Sequence, residues 1–320
     1  MRLVFLGSPA FALPTLEALR AAGYELALVV TQPDRLAGRG RNSTPTPVAA
    51  YARQHALRLW QTTSLKGPEA EARLREVDAQ AMVLAAFAAL VPDNLLNLTP
   101  TGILNVHPSL LPRWRGAAPI QSTLLAGDVE TGVSIIRLVH ALDAGPLLLQ
   151  ERLPVHPTDD FVSLEPRLAD LGARLAVRAL AERPEPRPQP EAGVTFSRRI
   201  QREDARIDWA QPNSAIWNQV RAYRGWPQAY TLFEGRVLKV LRAWPITSGD
   251  SVPAEATQPS LQVERPPGPP GMVSARDGSL LVATGSGLLR LDEVQLEGKR
   301  AQSGEAFTRG YPRVHGAKLA

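Results

Sequence analysis

The chain has 320 residues, 44% of them hydrophobic and 21% charged, which excludes a disordered polymer and leaves room for one large domain and a smaller one. A net charge of +5, from 36 Lys+Arg against 31 Asp+Glu, is mildly basic and suits an anionic partner, nucleic acid among them. The absence of cysteine excludes disulfides and thiolate metal sites and fits a reducing compartment. With no apolar run of about 18 residues and no signal-peptide pattern in "MRLVFLGSPAF", a cytoplasmic protein without a membrane span is expected.

In chain order, "RLVFLG" (2–7) predicts a buried strand, and "PAFALPTLEALRAAG" (9–23) a helix stopped by Gly23. "ELALVVT" (25–31) is a second strand, followed by a basic loop and a helix around 47–56. A short strand at "LRLW" and a helix near 67–76 precede two further apolar strands, "AQAMVLAAF" (79–87) and "GILNVH" (102–107). Strands alternating with helices imply an open, Rossmann-like parallel α/β sheet, here assigned to 1–183. Four prolines within 184–190 exclude a helix interior and predict a stiff, extended linker, with the boundaries set at 184–203. Beyond it, "AYTLFEGRVLKVLRAW" has a hairpin pattern around Glu234-Gly235, and 271–296 alternates short strands with glycine turns. A small OB-like β-barrel over 204–320 is expected, with 251–271 as a surface loop.

Ligands of such sheets sit at the carboxyl ends of the strands. "GSPAFA" after the first strand has one glycine where a dinucleotide loop needs three, and Pro9 lacks the N–H that would cradle phosphate. Asn105 and His107 carry a stronger signal. As i and i+2 in a strand they face one side at the sheet's end, and Asp143, in the turn of "LVHALDAG", supplies a carboxylate that would raise and orient the imidazole. Asn105 and a charged His107 would then be two donors aimed at one oxyanion. A Ser-His-Asp hydrolase would need Ser109 as nucleophile, but G-x-S-x-G is absent; the five histidines show no metal-ligand spacing. The loop 32–47 carries Arg35, Arg39 and Arg41 with Asp34 as its one acid. It leaves the carboxyl end of the second strand, on the same edge as Asn105 and His107, so these arginines are expected to meet an anionic partner such as nucleic acid.

The segment "NVHPSLLPRWRGAAPIQ" followed by "GDVETGVSIIRLVHALDAG" resembles the folate-dependent formyltransferases, in particular those that act on charged initiator tRNA. The resemblance extends through "FLGSPAFALPTLEAL", "TQPDRLAGRGRNSTPTPV", "IQREDARIDW" and "VATGSGLLRLDEVQLEGKR". It implies formyl transfer from 10-formyltetrahydrofolate to the amino group of methionyl-initiator tRNA, without a metal and in a monomer, with the barrel helping to hold the tRNA. It places the catalytic roles on Asn105, His107 and Asp143, and the folate contacts on Ser109, Leu110, Leu111, Pro112 and Phe87. The chain departs from the family in having Pro108 after the histidine and Phe87-Ala88 where Tyr-Gly is common. A formyltransferase acting on a small amine is the alternative that shares this catalytic set.

Overall fold

The structure is a computed structural model that describes residues 1–37, 42–246, 268–276 and 278–320. It divides into two compact units. One comprises Met1–Ile120, Val129–His156 and Ser163–Arg198, the other Gln121–Asp128, Pro157–Val162 and Arg199–Ala320.

In the first unit, strands β1 (Arg2–Gly7) and β2 (Glu25–Thr31) flank helix α1 (Leu13–Ala21). α1 starts four residues later than the sequence predicts, because Pro14 fits only a first helical turn and Ala10–Ala12 form a 3-10 turn instead. A two-stranded ribbon, β3 (Arg35–Ala37) and β4 (Asn42–Thr44), leads into α2 (Pro47–Gln54), whose N-cap Thr46 accepts from the Ala49 N–H (3.0 Å). Then follow β5 (Leu59–Gln61), α3 (Pro68–Glu76), β6 (Ala81–Ala85), α4 (Asp93–Leu96) and β7 (Ile103–His107). After β8 (Arg115–Gly116) and α5 (Pro119–Ala126), which from Gln121 on belongs to the second unit, come β9 (Glu130–Arg137), β10 (Leu147–Pro154), α6 (Phe161–Glu182), in this unit from Ser163, and β11 (Phe196–Ser197).

The sheet order is β10-β9-β7-β6-β1-β2-β5. The five strands from β7 to β5 are parallel, as the alternating pattern implies; β9 runs antiparallel to β7, and β10 to β9. Strands β1, β6 and β7 are buried along nearly their whole length because helices cover both faces of a parallel sheet, and β1 and β6 are apolar accordingly. α6 lies against the strand that carries the site: a Cβ on Gly172 would fall 2.5 Å from Val106 Cγ1, so only glycine permits this approach.

The second unit holds α7 (Asn213–Ala222) and an antiparallel sheet of β12 (Tyr230–Phe233), β13 (Arg236–Ile246), β14 (Val273–Arg276), β15 (Ser279–Ala283), β16 (Leu288–Leu296) and β17 (Gln302–Ser303), with α8 (Gly304–Gly310). The order is β12-β13-β16-β15-β14, with β17 on β16. Glu234 and Gly235 have φ of 49° and 73°, so the expected hairpin closes with a two-residue turn whose twist suits the strands. The C-terminal tail hydrogen-bonds to both outer strands or their extensions: Ala317 and Leu319 pair with Val273 and Gly271, and Ala320 pairs with Leu232. This covers the two edges and makes the sheet barrel-like. Of the stretch expected to be a surface loop, residues 251–267 lie outside the described residues.

Leu319 is 2% exposed and belongs to the apolar cluster of this unit, with Phe233, Leu296 and Phe307. Leu319→Ala is expected to lower the stability of the unit by about 2–4 kcal/mol, measured as a fall in the urea midpoint at constant slope.

Candidate active site at the carboxyl edge of the sheet

β7 ends on "ILNVH", and pleating points Asn105 and His107 to the same side. The turn between β9 and β10 brings Asp143 to them. Asn105 Nδ2 donates to Asp143 Oδ1 (3.3 Å), and His107 Nδ1 lies 3.7 Å from Asp143 Oδ2. The three side chains are buried, with Asn105 7%, His107 4% and Asp143 9% exposed. The structure thus brings together the three residues singled out from the sequence, although 36 residues separate His107 from Asp143.

The segment after β7 supplies partners that the sequence did not reveal. His107 Nε2 faces the Trp114 carbonyl (3.0 Å), and the Gly116 N–H donates to Asp143 Oδ2 (2.8 Å). A carbonyl only accepts, so Nε2 carries a hydrogen. In the neutral ring Nδ1 then has the lone pair. Burial pushes the His107 imidazole below the ordinary histidine value; the Asp143 carboxylate and the Trp114 carbonyl oppose this and offset only part of it. The expectation that Asp143 keeps His107 charged is therefore corrected: at neutral pH the buried ring rests uncharged, and Asp143 lowers the cost of charging it.

Ser109 and Leu111, which the resemblance assigns to the folate, spend their side chains on the loop itself. Ser109 Oγ donates to the Arg113 carbonyl (2.6 Å), and Leu111 packs with Ile136 and Leu147. Ser134 Oγ accepts from the Leu111 N–H (3.1 Å) and from Gln150 Nε2 (2.8 Å) and donates to the Ser109 carbonyl (2.7 Å), tying the loop to β9. Leu110 and Pro112 are left half-buried. Phe87 is buried in the cluster with Leu6, Leu84 and Leu95.

Two close approaches require glycine. A Cβ on Gly145 would lie 1.8 Å from the Arg137 carbonyl oxygen, and one on Gly116 (φ 117°) 2.3 Å from the Ser197 carbonyl oxygen. Two non-glycine residues here occupy the left-handed region, Trp114 (φ 62°) and Asp143 (φ 46°). Aspartate tolerates it. For tryptophan it costs about 1–2 kcal/mol, which the surrounding hydrogen bonds must offset.

β2 and β7 are parallel members of one sheet with β1 and β6 between them, so their carboxyl ends share an edge about 14 Å apart. Arg35 is exposed just beyond β2, and the neighbouring Asp34 is held by Gln61 and by Arg53 (3.0 Å). Those partners keep the Asp34 carboxyl below its ordinary value, the Gln61 hydrogen bond being the larger cause. Arg39 and Arg41 lie outside the described residues.

Residues 1–180 match the formyl transferase family, and residues 199–312 match the formyl transferase C-terminal domain. The chain belongs to the formyl transferase family. A methionyl-tRNA formyltransferase of Dechloromonas aromatica (strain RCB) is 40% identical over 321 residues, spanning 100% of this chain and 99% of its own length. That of Ruegeria pomeroyi (strain ATCC 700808 / DSM 15171 / DSS-3) is 41% identical over 321 residues and 100% of both chains. Among solved structures, an N-formyltransferase from Helicobacter canadensis in complex with folinic acid and dTDP-3-aminofucose has the same fold. Its TM-score is 0.65 at 16% identity, over 90% of this chain and 98% of its own. The methionyl-tRNA formyltransferase from Clostridium thermocellum gives 0.53 at 14% identity, over 78% and 95%.

This formyltransferase has a cavity of about 440 Å³ within its C-terminal unit. Trp217 and Trp244 meet edge to face there (5.3 Å), and Arg221 stacks on Trp217 at 3.8 Å, its pKa pushed down to about 10 by burial. Asp160, Asp292 and Glu305 balance the charges of Arg221, Arg242 and Arg290 in the lining, so the cavity favours stacking over charge. Among the described residues no helix is long and apolar enough to cross a membrane, and no group of three or more acids and histidines is placed to hold a metal ion.

Because His107 has a lower pKa folded than unfolded, its contribution to stability is complete above about pH 6.5 and is lost as pH falls through the folded value. NMR titration should place the His107 pKa below 6.5 in the native protein and lower again in Asp143→Asn, where the supporting carboxylate is gone. An unchanged value in Asp143→Asn would show that the two groups are not coupled.

Proposed function

We propose that the protein transfers the formyl group of 10-formyltetrahydrofolate to the amino group of methionyl-initiator tRNA, and that Asn105, His107 and Asp143 are the catalytic set. The observation that carries this reading is the convergence of these three side chains at the strand end. The full-length likeness to methionyl-tRNA formyltransferases supports the choice of acceptor.

The residues present fit a formyl donor. When bound, the folate supplies a carbonyl on a nitrogen leaving group, and the half-buried Leu110 and Pro112 offer apolar surface to hold it. Ser109 and Leu111 shape that loop, and Phe87 lies in the core cluster with Leu84 of the neighbouring strand β6. As the amine attacks, charge develops on the formyl oxygen. Asn105 gives one amide hydrogen to Asp143, and its other is left for that oxygen. His107 accepts the proton released by the amine at Nδ1 and returns it to the leaving nitrogen. While charged, the ring has an acceptor opposite each nitrogen, the Asp143 carboxylate and the Trp114 carbonyl. None of these roles calls for a metal.

Arg35, at the same edge as the catalytic set, contacts the tRNA acceptor arm, and by their sequence Arg39 and Arg41 add to this cationic contact. The Trp217 and Trp244 cavity adds a stacking surface for RNA in the second unit. All three catalytic side chains come from one chain, which supports a monomer; the lack of cysteine and a role in translation support the cytoplasm.

Formyl transfer from 10-formyltetrahydrofolate should be observed with charged initiator tRNA, and not with uncharged tRNA or free methionine. Asn105→Ala is expected to lower kcat by about 10²–10³ with little change in folate binding; near-normal turnover would refute the oxyanion role. Replacing Arg39 and Arg41 by Ala should raise KM for tRNA only and flatten the slope of log K against log salt by roughly 1–2. If neither the slope nor that KM changes, the loop does not touch RNA.

A further inference from the structure

From Glu185 to Gly193 every residue is exposed except Gln189, whose side chain turns inward. Its Nε2 donates to the carbonyls of Asp143 and Gly145, both at 2.7 Å. Its Oε1 accepts from Arg115 Nε (3.1 Å) and Nη2 (2.6 Å). A carboxamide has two hydrogens and two lone pairs, so all its bonding capacity is used. No other side chain of that length supplies both halves: glutamate lacks the donors, and methionine lacks both.

These four bonds join the two loops that converge on His107. One carries Asp143, in the left-handed region; the other carries Arg115 between the Trp114 carbonyl that takes the imidazole hydrogen and the Gly116 N–H that holds Asp143 Oδ2. The segment around Gln189 grips the same loops elsewhere. Arg187 exchanges backbone bonds with Leu147, Thr195 Oγ1 accepts from the Trp114 N–H (2.9 Å), and Ser197 Oγ donates to the Arg115 carbonyl (3.2 Å).

We propose that Gln189 is a positioning residue for formyl transfer, clamping the Asp143 turn to the Arg115 loop so that the Asp143 carboxylate stays opposite His107. This rests on the catalytic set proposed above. The groups that face His107 are Asp143 from the β9–β10 turn, the Trp114 carbonyl from the loop after β7, and Asn105 on its own strand.

The test uses the full chain with Gln189→Met, which removes all four bonds, and Gln189→Glu, which keeps the acceptor for Arg115 and loses both donors. Steady-state kinetics for each substrate, NMR titration of His107 and circular dichroism are measured alone and in an Asp143→Asn background. Both variants are expected to keep a native spectrum and to lose kcat by about 10–100-fold with each KM changed by less than about threefold, and Gln189→Met, which adds no charge, to lower the His107 pKa. In the Asp143→Asn background Gln189→Met should lower that pKa no further. Wild-type kcat and pKa in a folded Gln189→Met, an equal additional pKa loss in both backgrounds, or failure of both variants to fold would each overturn the positioning role. If Asp143→Asn alone leaves kcat and the His107 pKa unchanged, it is the catalytic set that fails.

Discussion

A histidine buried at the end of an apolar strand has to find hydrogen-bond partners for both ring nitrogens, and the segments around β7 are arranged by that demand. Only the charged ring can donate at both positions, while burial favours the neutral one. The Asp143 carboxylate and the Trp114 carbonyl offset part of the burial effect. Each is delivered by a loop whose backbone takes a left-handed turn at the delivering residue. Such turns do not form by themselves at a tryptophan. They persist because the surrounding hydrogen bonds leave no other conformation open.

Most of those bonds come from one stretch, 187–197, which composition makes stiff and extended. Prolines exclude helix, so its backbone groups cannot pair internally and are directed to neighbours: Arg187 to the start of β10, Thr195 to Pro112 and Arg115, and Ser197 to Ala117. Residues 184–198, in the stretch expected to be a linker, are in this way bonded into the first unit.

Much of this was legible in the sequence, for identifiable reasons. Strand periodicity places Asn105 and His107 on one face at a strand end, and "LDAG" after an apolar strand marks a turn that presents a carboxylate. The hairpin at Glu234-Gly235 follows from local turn chemistry. What the sequence hides is set by long-range contact. Gln189 lies 74 residues from Arg115, and nothing in "PRPQPEAG" distinguishes a glutamine that faces in from one that faces out. The sense of the His107 shift was hidden likewise. The nearby carboxylate could be anticipated and the extent of burial could not, and burial is the larger of the two effects. Resemblance also does not tell contact from support: Ser109 and Leu111 fall within the family's folate element, yet their side chains serve the loop's own hydrogen bonds and packing.

The resting charge of His107 bears on what the site can accept as nucleophile. An amine attacks only as the free base, and an α-amino group of ordinary pKa, about 7.7–8.0, sheds its proton at or just above neutrality. A histidine held charged over that range could stabilise an oxyanion but could not take a proton from the attacking nitrogen. One kept neutral by burial is a base while the amine is being deprotonated, and it becomes a cation at the moment negative charge appears on the formyl oxygen. In the proposed mechanism Asp143 contributes at that moment more than at rest, because its attraction acts on a charge that exists only during transfer. Its placement therefore matters more to the barrier than to binding. A constraint of this kind is better met by a turn clamped from a rigid, distant segment than by the turn's own residues, since "DAG" alone would leave the carboxylate free to rotate away from a neutral ring that holds it weakly.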